Sequence, residues 1–212
     1  MSRPNTQSKT IGSLALEGLW TNNPVFRQVL GICSTLAVTN MVQNTVVMCV
    51  ALVVTLGMSS FTISLLRSRT PRKIRMMIET LIIAFYVIIV DVCLKAYWPA
   101  MSTSLGPYVG LIITNCIVMG RAEACATSQP PGIAFLDGLF NGLGYSLILL
   151  LIAVPRELLG MGTIFGVPMP YFSGPRWDPW IIMIMPPGAF LTLGIVIGVF
   201  NHYRARKAKG GA

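Results

Sequence analysis

The chain has 212 residues, of which 54% are apolar and only 11% are charged. This composition, with long stretches that carry no charge at all, excludes an ordinary water-soluble domain and predicts an integral membrane protein. The formal net charge of +9 comes from basic residues clustered beside apolar segments, a pattern that reports membrane orientation and argues against nucleic-acid binding.

Four apolar segments are long enough to cross about 30 Å of hydrocarbon as helices. They are residues 41–66, 74–98, 133–154 and 181–203. Two further segments, residues 25–38 and 105–119, are short. At about 1.5 Å per residue each of these two would rise only about 21–23 Å, so neither spans comfortably as a plain helix.

Basic residues indicate whether the short segments cross as well. The connection RSRTPRKIR at residues 67–75 and the tail at residues 204–212 are both strongly basic, and basic loops stay in the cytoplasm. Because these two basic regions lie on the same side, an even number of crossings must separate them. Counting residues 105–119 as a crossing gives four, and leaving them out gives three. Arg3 and Lys9, in the N-terminal segment 1–23, make residues 25–38 a crossing by the same rule. We therefore expect both termini in the cytoplasm and a loop outside from Pro155 to Trp180.

The predicted fold is all-α, with six transmembrane helices in a single membrane domain. The six crossings divide into two triplets, residues 24–99 and residues 105–203, each of which begins with a short segment. An odd number of crossings per repeat forces the two repeats to be inverted relative to each other, and short or broken crossings at matching positions point to a site near the bilayer midplane. We expect the helix breaks at Gly31, Thr114 and Asn115.

Cys33 and Cys116 lie in these short segments, LGICSTLAVTN and IITNCIVMGRA. Thiols near the bilayer midplane, one from each half of the chain, favour a metal centre between the halves. Two thiolates do not complete a zinc site, and an iron–sulfur cluster is held by four. A partner of similar design, with its own pair of cysteines, would complete a 2Fe–2S site. The pattern alone leaves open that both cysteines simply pack.

Four stretches, LGICSTLAVT, GLIITNCIVMGRAEA, FLDGLFNGLGY and PRELLGMGTIFG, resemble in this order a single family. The family comprises the D-type subunit of the sodium-pumping NADH:quinone oxidoreductase (Nqr) and the E-type subunit of the related Rnf complex. The resemblance implies that a cysteine in each short helix, here Cys33 and Cys116, binds an intramembrane 2Fe–2S cluster. That cluster would be shared with a homologous sister subunit of opposite orientation, of the E type in Nqr or the A type in Rnf. Cys49, Cys93 and Cys125 match no ligand of that family.

The resemblance also implies a function and a location. The chain would relay electrons coupled to Na⁺ translocation in a bacterial or archaeal cytoplasmic (inner) membrane, with NAD and flavins on other subunits and no catalysis by this chain alone. CSTLAVT and NCIVMGRAEA favour the Nqr branch, whereas IMPPGAFLTLG resembles the Rnf branch, and H⁺ is the alternative to Na⁺. A stand-alone secondary transporter with inverted repeats is the alternative from another class, and a passive scaffold is a third.

Two pairs of positions inside predicted helices carry further expectations. Asp91 and Lys95 are four residues apart and share a helix face within the hydrocarbon. Either Lys95 reaches outward and neutralises Asp91, or the pair contacts an ion pathway. Asp137 and Asn141 are also four residues apart, on residues 133–154. One face of that segment carries Gly138, Asn141, Gly142 and Tyr145, which predicts tight helix contact, with an ion route as the alternative.

Overall fold

The computed structural model describes residues 30–126, 129–165, 167–168 and 180–209. These residues form eight α-helices and one antiparallel pair of two-residue strands. The helices are α1 (Ile32–Val38), α2 (Val42–Leu66), α3 (Arg75–Tyr97), α4 (Pro99–Ile113), α5 (Cys116–Arg121), α6 (Pro131–Met161), α7 (Ile181–Ile184) and α8 (Pro186–Lys209). A 3₁₀ turn (Arg72–Ile74) precedes α3, a π-helical turn (Ala122–Ala126) continues α5, and the strands are β1 (Thr163–Ile164) and β2 (Val167–Pro168).

Four helical stretches of the described chain are long and apolar enough to cross a membrane. They are Val42–Leu66, Arg75–Tyr97, Pro99–Cys125 and Pro131–Met161. The prediction of a helical, multi-pass membrane protein is therefore confirmed. The predicted crossing 181–203 is divided into α7 and α8, and neither is among these four, so six crossings in two inverted repeats stay a prediction. Residues 1–29, with the predicted N-terminal segment, lie outside the described residues.

The second short segment is longer than the sequence predicted. In the structure α4 begins at Pro99, directly after α3, and not at residue 105. Proline is favoured in the first turn of a helix because its missing N–H has no partner there anyway. With α5 and the π-helical turn, this stretch reaches 27 residues, which is long enough to cross the hydrocarbon. The predicted start at residue 105 is therefore wrong, because the polar residues of MSTS obscured the first turns, whereas the interruption at Thr114 and Asn115 agrees with the prediction that this segment is not one plain helix.

Helix α6 also extends beyond its predicted end. The sequence predicted a loop from Pro155 onward, because an interior proline usually ends a helix. In the structure α6 continues through Pro155 to Met161 and ends at Gly162, whose φ of 66° is the left-handed conformation common at helix ends. Arg156 and Glu157, expected in the outside loop, are each 1% exposed. The predicted loop is therefore wrong at its start, because buried hydrogen bonds hold the turn that follows the proline.

Helices α2 and α6 pack against each other along most of their length and form the centre of the core. A Cβ added to Gly138 would lie 3.0 Å from the Leu56 carbonyl oxygen, and one added to Gly142 would lie 3.2 Å from the Val53 Cα. Such distances require glycine, since a side chain would push the helices apart. The tight contact predicted for this face of α6 is confirmed.

We expect Gly138→Ala to weaken this contact and to destabilise the protein by about 1–3 kcal/mol through overpacking. The measurement is the thermal midpoint of the detergent-solubilised complex. Gly194→Ala in α8 is the matched control, because a Cβ at Gly194 meets nothing within 4 Å. Equal midpoints for the two variants would contradict the close approach of α2 and α6.

Candidate functional site

The helix breaks adjoin both predicted cluster ligands. Helix α1 begins after Gly31, whose φ of 86° lies in the left-handed region that glycine adopts at little cost. Cys33 is the second residue of α1. Helix α4 ends before Thr114 and Asn115, and Cys116 is the first residue of α5. The predicted break at Thr114 and Asn115 is therefore present, and α1 starts directly after Gly31, while the chain before residue 30 lies outside the described residues.

The starts of α1 and α5 lie close together over the middle of α6. A Cβ added to Gly31 would lie 2.7 Å from Ile117 Cδ1 and 2.7 Å from Tyr145 Cε2. The Tyr145 hydroxyl donates a hydrogen bond of 2.7 Å to the Gly31 carbonyl oxygen. Ile117 directly follows Cys116, and Gly31 lies two residues before Cys33. Glycine is thus required here for space as well as for its backbone conformation.

A buried hydrogen bond joins the immediate sequence neighbours of the two cysteines. Asn115 Nδ2 donates to Ser34 Oγ at 2.8 Å. Its Oδ1 accepts from the backbone N–H of Ile117 at 3.0 Å and caps the start of α5. Ser34 is 0% exposed and Asn115 is 1% exposed. A single amide group therefore fixes α1 relative to α5, and with it the two segments that carry Cys33 and Cys116.

The two cysteines differ from their buried neighbours in exposure. Ser34 and Thr35 face the interior, whereas Cys33 is exposed on the surface of this chain and Cys116 is partly exposed. Cys49 is buried, with its thiol 3.7 Å from the Ser146 carbonyl oxygen, which agrees with a packing role. The thiols beside the breaks are thus accessible to a second polypeptide. Cys93 is exposed too, but it lies within the regular helix α3.

The thiols of Cys33 and Cys116 have the donor chemistry of a soft metal centre. Within the described ranges, no three His, Cys, Asp or Glu side chains come together as metal ligands. Two thiolates, the number that Cys33 and Cys116 could offer, would be half of the four that a 2Fe–2S cluster needs. Thiolates select iron–sulfur clusters over hard cations, so the donor chemistry of this pair fits such a group.

An ion pair near the end of α5 was missed from the sequence. Arg121, the last residue of α5, donates to Asp137 Oδ2 through Nε at 3.0 Å and also through Nη2. Asn141 Nδ2 donates to the other oxygen, Asp137 Oδ1, at 3.1 Å. The sequence placed Asp137 four residues from Asn141 in an apolar span, and a basic residue at the end of the preceding segment was the signal for a charged partner.

The predicted contact between Asp91 and Lys95 is present. Lys95 Nζ donates to Asp91 Oδ2 at 2.6 Å, and the side chains of Lys95 and Asp91 are 62% and 24% exposed, respectively. The pair lies on the outer side of α3, a helix that contributes little to the core. Its part in an ion pathway stays a prediction.

Broken helices that meet at buried polar groups inside an apolar bundle define a class of integral membrane proteins, in which the functional site is built at the breaks. Comparison with known proteins narrows the class. The model of a family of membrane proteins described as the Rnf-Nqr subunit matches residues 11–197. The chain belongs to this Rnf-Nqr family, which confirms the resemblance found in the sequence.

Curated relatives cover nearly the whole chain. A protein of Pseudoalteromonas translucida (strain TAC 125) is 46% identical over 90% of this chain and 92% of its own length. One of Chlamydia felis (strain Fe/C-56) is 44% identical over 95% and 98%, and one of Pseudomonas aeruginosa (strain LESB58) is 45% identical over 92% and 88%. All three are named as the D subunit of Na(+)-translocating NADH-quinone reductase.

Proposed function

We propose that this chain is the D-type membrane subunit of a Na⁺-translocating NADH:quinone oxidoreductase, and that Cys33 and Cys116 supply half of the ligands of an intramembrane 2Fe–2S cluster. The observation that carries the proposal is the 2.8 Å hydrogen bond between Asn115 and Ser34, which joins the neighbours of both cysteines. The names of the relatives support membership of the Nqr complex, with the E-type subunit of the Rnf complex as the alternative.

The remaining ligands would come from a homologous membrane subunit of opposite orientation. The exposure of the Cys33 side chain supports this, because a thiol on the surface of one chain can meet a thiol of another. An apolar, water-poor setting suits the shared group, since burial and local hydrogen bonds set the potential of an iron–sulfur centre. NAD and flavins would be held by other subunits, and this chain would oxidise no NADH by itself.

The topology we propose has six crossings in two inverted repeats, with both termini in the cytoplasm. Its support is the matching order of elements: α1 starts after Gly31 and α5 starts after Asn115, and each precedes a long helix, α2 or α6. These two long helices pack on each other at the centre of the chain. A pseudo-two-fold axis in the membrane plane would relate them, and it would place the two breaks at one depth.

When bound, the cluster would supply one-electron transfer between the other redox groups of the complex. The residues of this chain contribute position and exclusion of water. Tyr145 and Gly31 fix the start of α1, and Asn115 caps the start of α5. Ser34 and Thr35, which directly follow Cys33, are buried, so the backbone beside this thiol is held in the core. Such support of the ligands typically changes metal affinity or activity by about 10- to 100-fold.

A stand-alone secondary transporter is disfavoured by the same contacts. Its substrate site would need polar groups at the breaks that are free to bind a substrate. Thr35 Oγ1 donates to the Gly31 carbonyl oxygen at 3.0 Å, and Asn115 uses its amide on Ser34 and on the start of α5. The side chains of Thr35 and Asn115 are therefore engaged within this chain, which favours a support over a substrate site, whereas Thr114 is exposed.

The direct test is the iron content and the electron paramagnetic resonance spectrum of the purified wild-type complex. After reduction, we expect a 2Fe–2S signal in addition to any signal from soluble domains, and the chain expressed alone should carry no such cluster. An assembled, active complex that lacks the additional iron would contradict the proposal.

The Asp91–Lys95 pair is the part of the chain that we propose to contact the ion pathway. We expect Asp91→Asn to lower Na⁺ uptake by the complex in membrane vesicles, because it removes a carboxylate that lies within the hydrocarbon. Lys95→Arg, which keeps the charge beside Asp91, is the matched control. Wild-type uptake in Asp91→Asn would assign the pair to simple neutralisation at the surface of α3.

A further inference from the structure

A buried arginine and a buried glutamate at adjacent positions lie near the end of α6. Arg156 and Glu157 are each 1% exposed. Charged side chains are almost never this deeply buried unless their charges and hydrogen bonds are matched. The partners of these two groups therefore indicate what they do, and the partners lie at breaks in other helices.

The first of these breaks separates α1 from α2, at residues 39–41, and it differs from the helix starts beside the cysteines. Arg156 Nη1 donates to Thr39 Oγ1, and this hydroxyl donates to the carbonyl oxygen of Thr35 near the end of α1. The Glu157 carboxylate accepts the first backbone N–H of α2, that of Val42. The end of a helix carries a partial negative charge and its start a partial positive one. Each charged group thus lies at the helix terminus of opposite sign.

The second break separates α7 from α8. Arg156 Nε donates to the Met183 carbonyl oxygen at 3.1 Å, and Nη2 donates to the carbonyl oxygens of Ile184 at 3.1 Å and Met185 at 3.4 Å. Helix α7 is also held against α6, because a Cβ added to Gly160 would lie 2.8 Å from Ile184 Cγ1. One guanidinium group therefore binds the carboxyl ends of two interrupted helices, one from each predicted repeat.

We propose that Arg156 is a fixed internal cation that joins these two breaks and thereby positions α1 and its Cys33 thiol. Where broken helices of transporters expose their carbonyl ends, a mobile cation commonly binds them. Here the Arg156 side chain supplies the positive charge at both breaks, so both are closed to the transported ion. A planar guanidinium with five donors can serve both breaks at once, whereas an ammonium group acts as a point charge.

The link to Cys33 runs through α1. Thr39, which caps the end of α1, and Thr35, which accepts the hydrogen bond from Thr39, lie on the same short helical segment as Cys33. Because α1 has only seven residues, a shift at its end displaces its start as well. Arg156 is thus a positioning residue and not a ligand, and its effect on the cluster rests on the function proposed above.

The test is chemical rescue in the assembled complex. We expect Arg156→Ala to lower the thermal midpoint and to reduce cluster occupancy by about 10-fold or more. Added guanidinium chloride, at millimolar levels far below denaturing ones, should restore both, and NaCl at the same concentration should not. Arg156→Lys keeps the charge but not the fork of donors, so the cluster should form with an altered midpoint potential.

Arg67→Ala is the matched control, because Arg67 donates to the Gln129 carbonyl oxygen from an exposed position and guanidinium should not affect it. A wild-type thermal midpoint and potential in Arg156→Ala or Arg156→Lys would overturn the proposal, as would assembly of Arg156→Ala that guanidinium leaves unchanged. If Arg156→Ala does not assemble, the measurement is whether guanidinium added during purification restores assembly. Restored assembly supports the proposal, and continued failure to assemble overturns it. A missing cluster signal in the wild type contradicts the proposed function. In that case, rescue of the thermal midpoint by guanidinium still tests whether Arg156 joins the two breaks.

Discussion

Replacing Cys33 or Cys116 by alanine is expected to reduce quinone reduction by the NADH-fed complex to background. Each substitution removes one of the four thiolates that hold a 2Fe–2S cluster. Electron entry from NADH, measured with a soluble artificial acceptor, should persist, because it depends on other subunits. The same samples should lose the additional iron signal, so the loss of turnover and the loss of the cluster can be compared directly.

Two other cysteines provide controls for these variants. Cys93 is exposed in the regular helix α3, and Cys49 is buried in α2. We expect Cys93→Ala to retain full turnover and Cys49→Ala to alter only stability. Equal turnover in the variants of Cys33, Cys116 and Cys93 would show that the cysteines beside the breaks merely pack.

The second large effect is expected at Asn115. In Asn115→Ala, α5 loses its cap, at a cost of about 1 kcal/mol, and the buried Ser34 hydroxyl loses its partner, at about 1–3 kcal/mol. Because this amide fixes α1 relative to α5, we expect cluster occupancy and turnover to fall together by about 10- to 100-fold. Both are measured on the purified complex, by iron content and by quinone reduction.

Asn44→Ala is the matched control for this substitution. The Asn44 side chain makes one weak contact, 3.9 Å from Nδ2 to the Met41 sulfur, at an exposed position. Ser34→Ala removes the acceptor of the same hydrogen bond and should reproduce part of the effect of Asn115→Ala. Unchanged turnover in Asn115→Ala and Ser34→Ala would show that the function of the cysteines does not depend on this hydrogen bond.

The sequence was sufficient to locate the start of α1 and the interruption between α4 and α5, because local chemistry determines them. Glycine adopts positive φ readily, and asparagine caps helices, so Gly31 and Asn115 indicated where regular helix would stop. The contact face of α6 was equally readable, since Gly138 and its neighbours recur at helical spacing. The proximity of the two breaks was an inference from symmetry, and the hydrogen bond from Asn115 to Ser34 now supports it.

Long-range partners explain what the sequence did not show. Pro155 and the charged pair after it have the sequence pattern of a helix end. The contacts that keep this turn helical are distant in sequence, since the groups that bind Arg156 come from Thr39 and from residues 27 to 29 positions later. The pairing of Arg121 with Asp137 likewise joins two segments across a connection. Local propensity contains no information about such contacts, and those of Arg156 override the local helix-end signal of Pro155.

The placement of Cys33 on the outside of its chain has a consequence for biogenesis under the proposed function. Neither polypeptide alone offers enough sulfur to retain iron, so metal loading must follow the pairing of two newly inserted proteins in the bilayer. In a copy without its companion, the Cys33 thiol would face lipid without its metal, and it would be open to faulty cross-linking with another membrane protein. Synthesis of the two subunits in equal amounts would therefore limit the number of unpaired copies before the cluster is inserted.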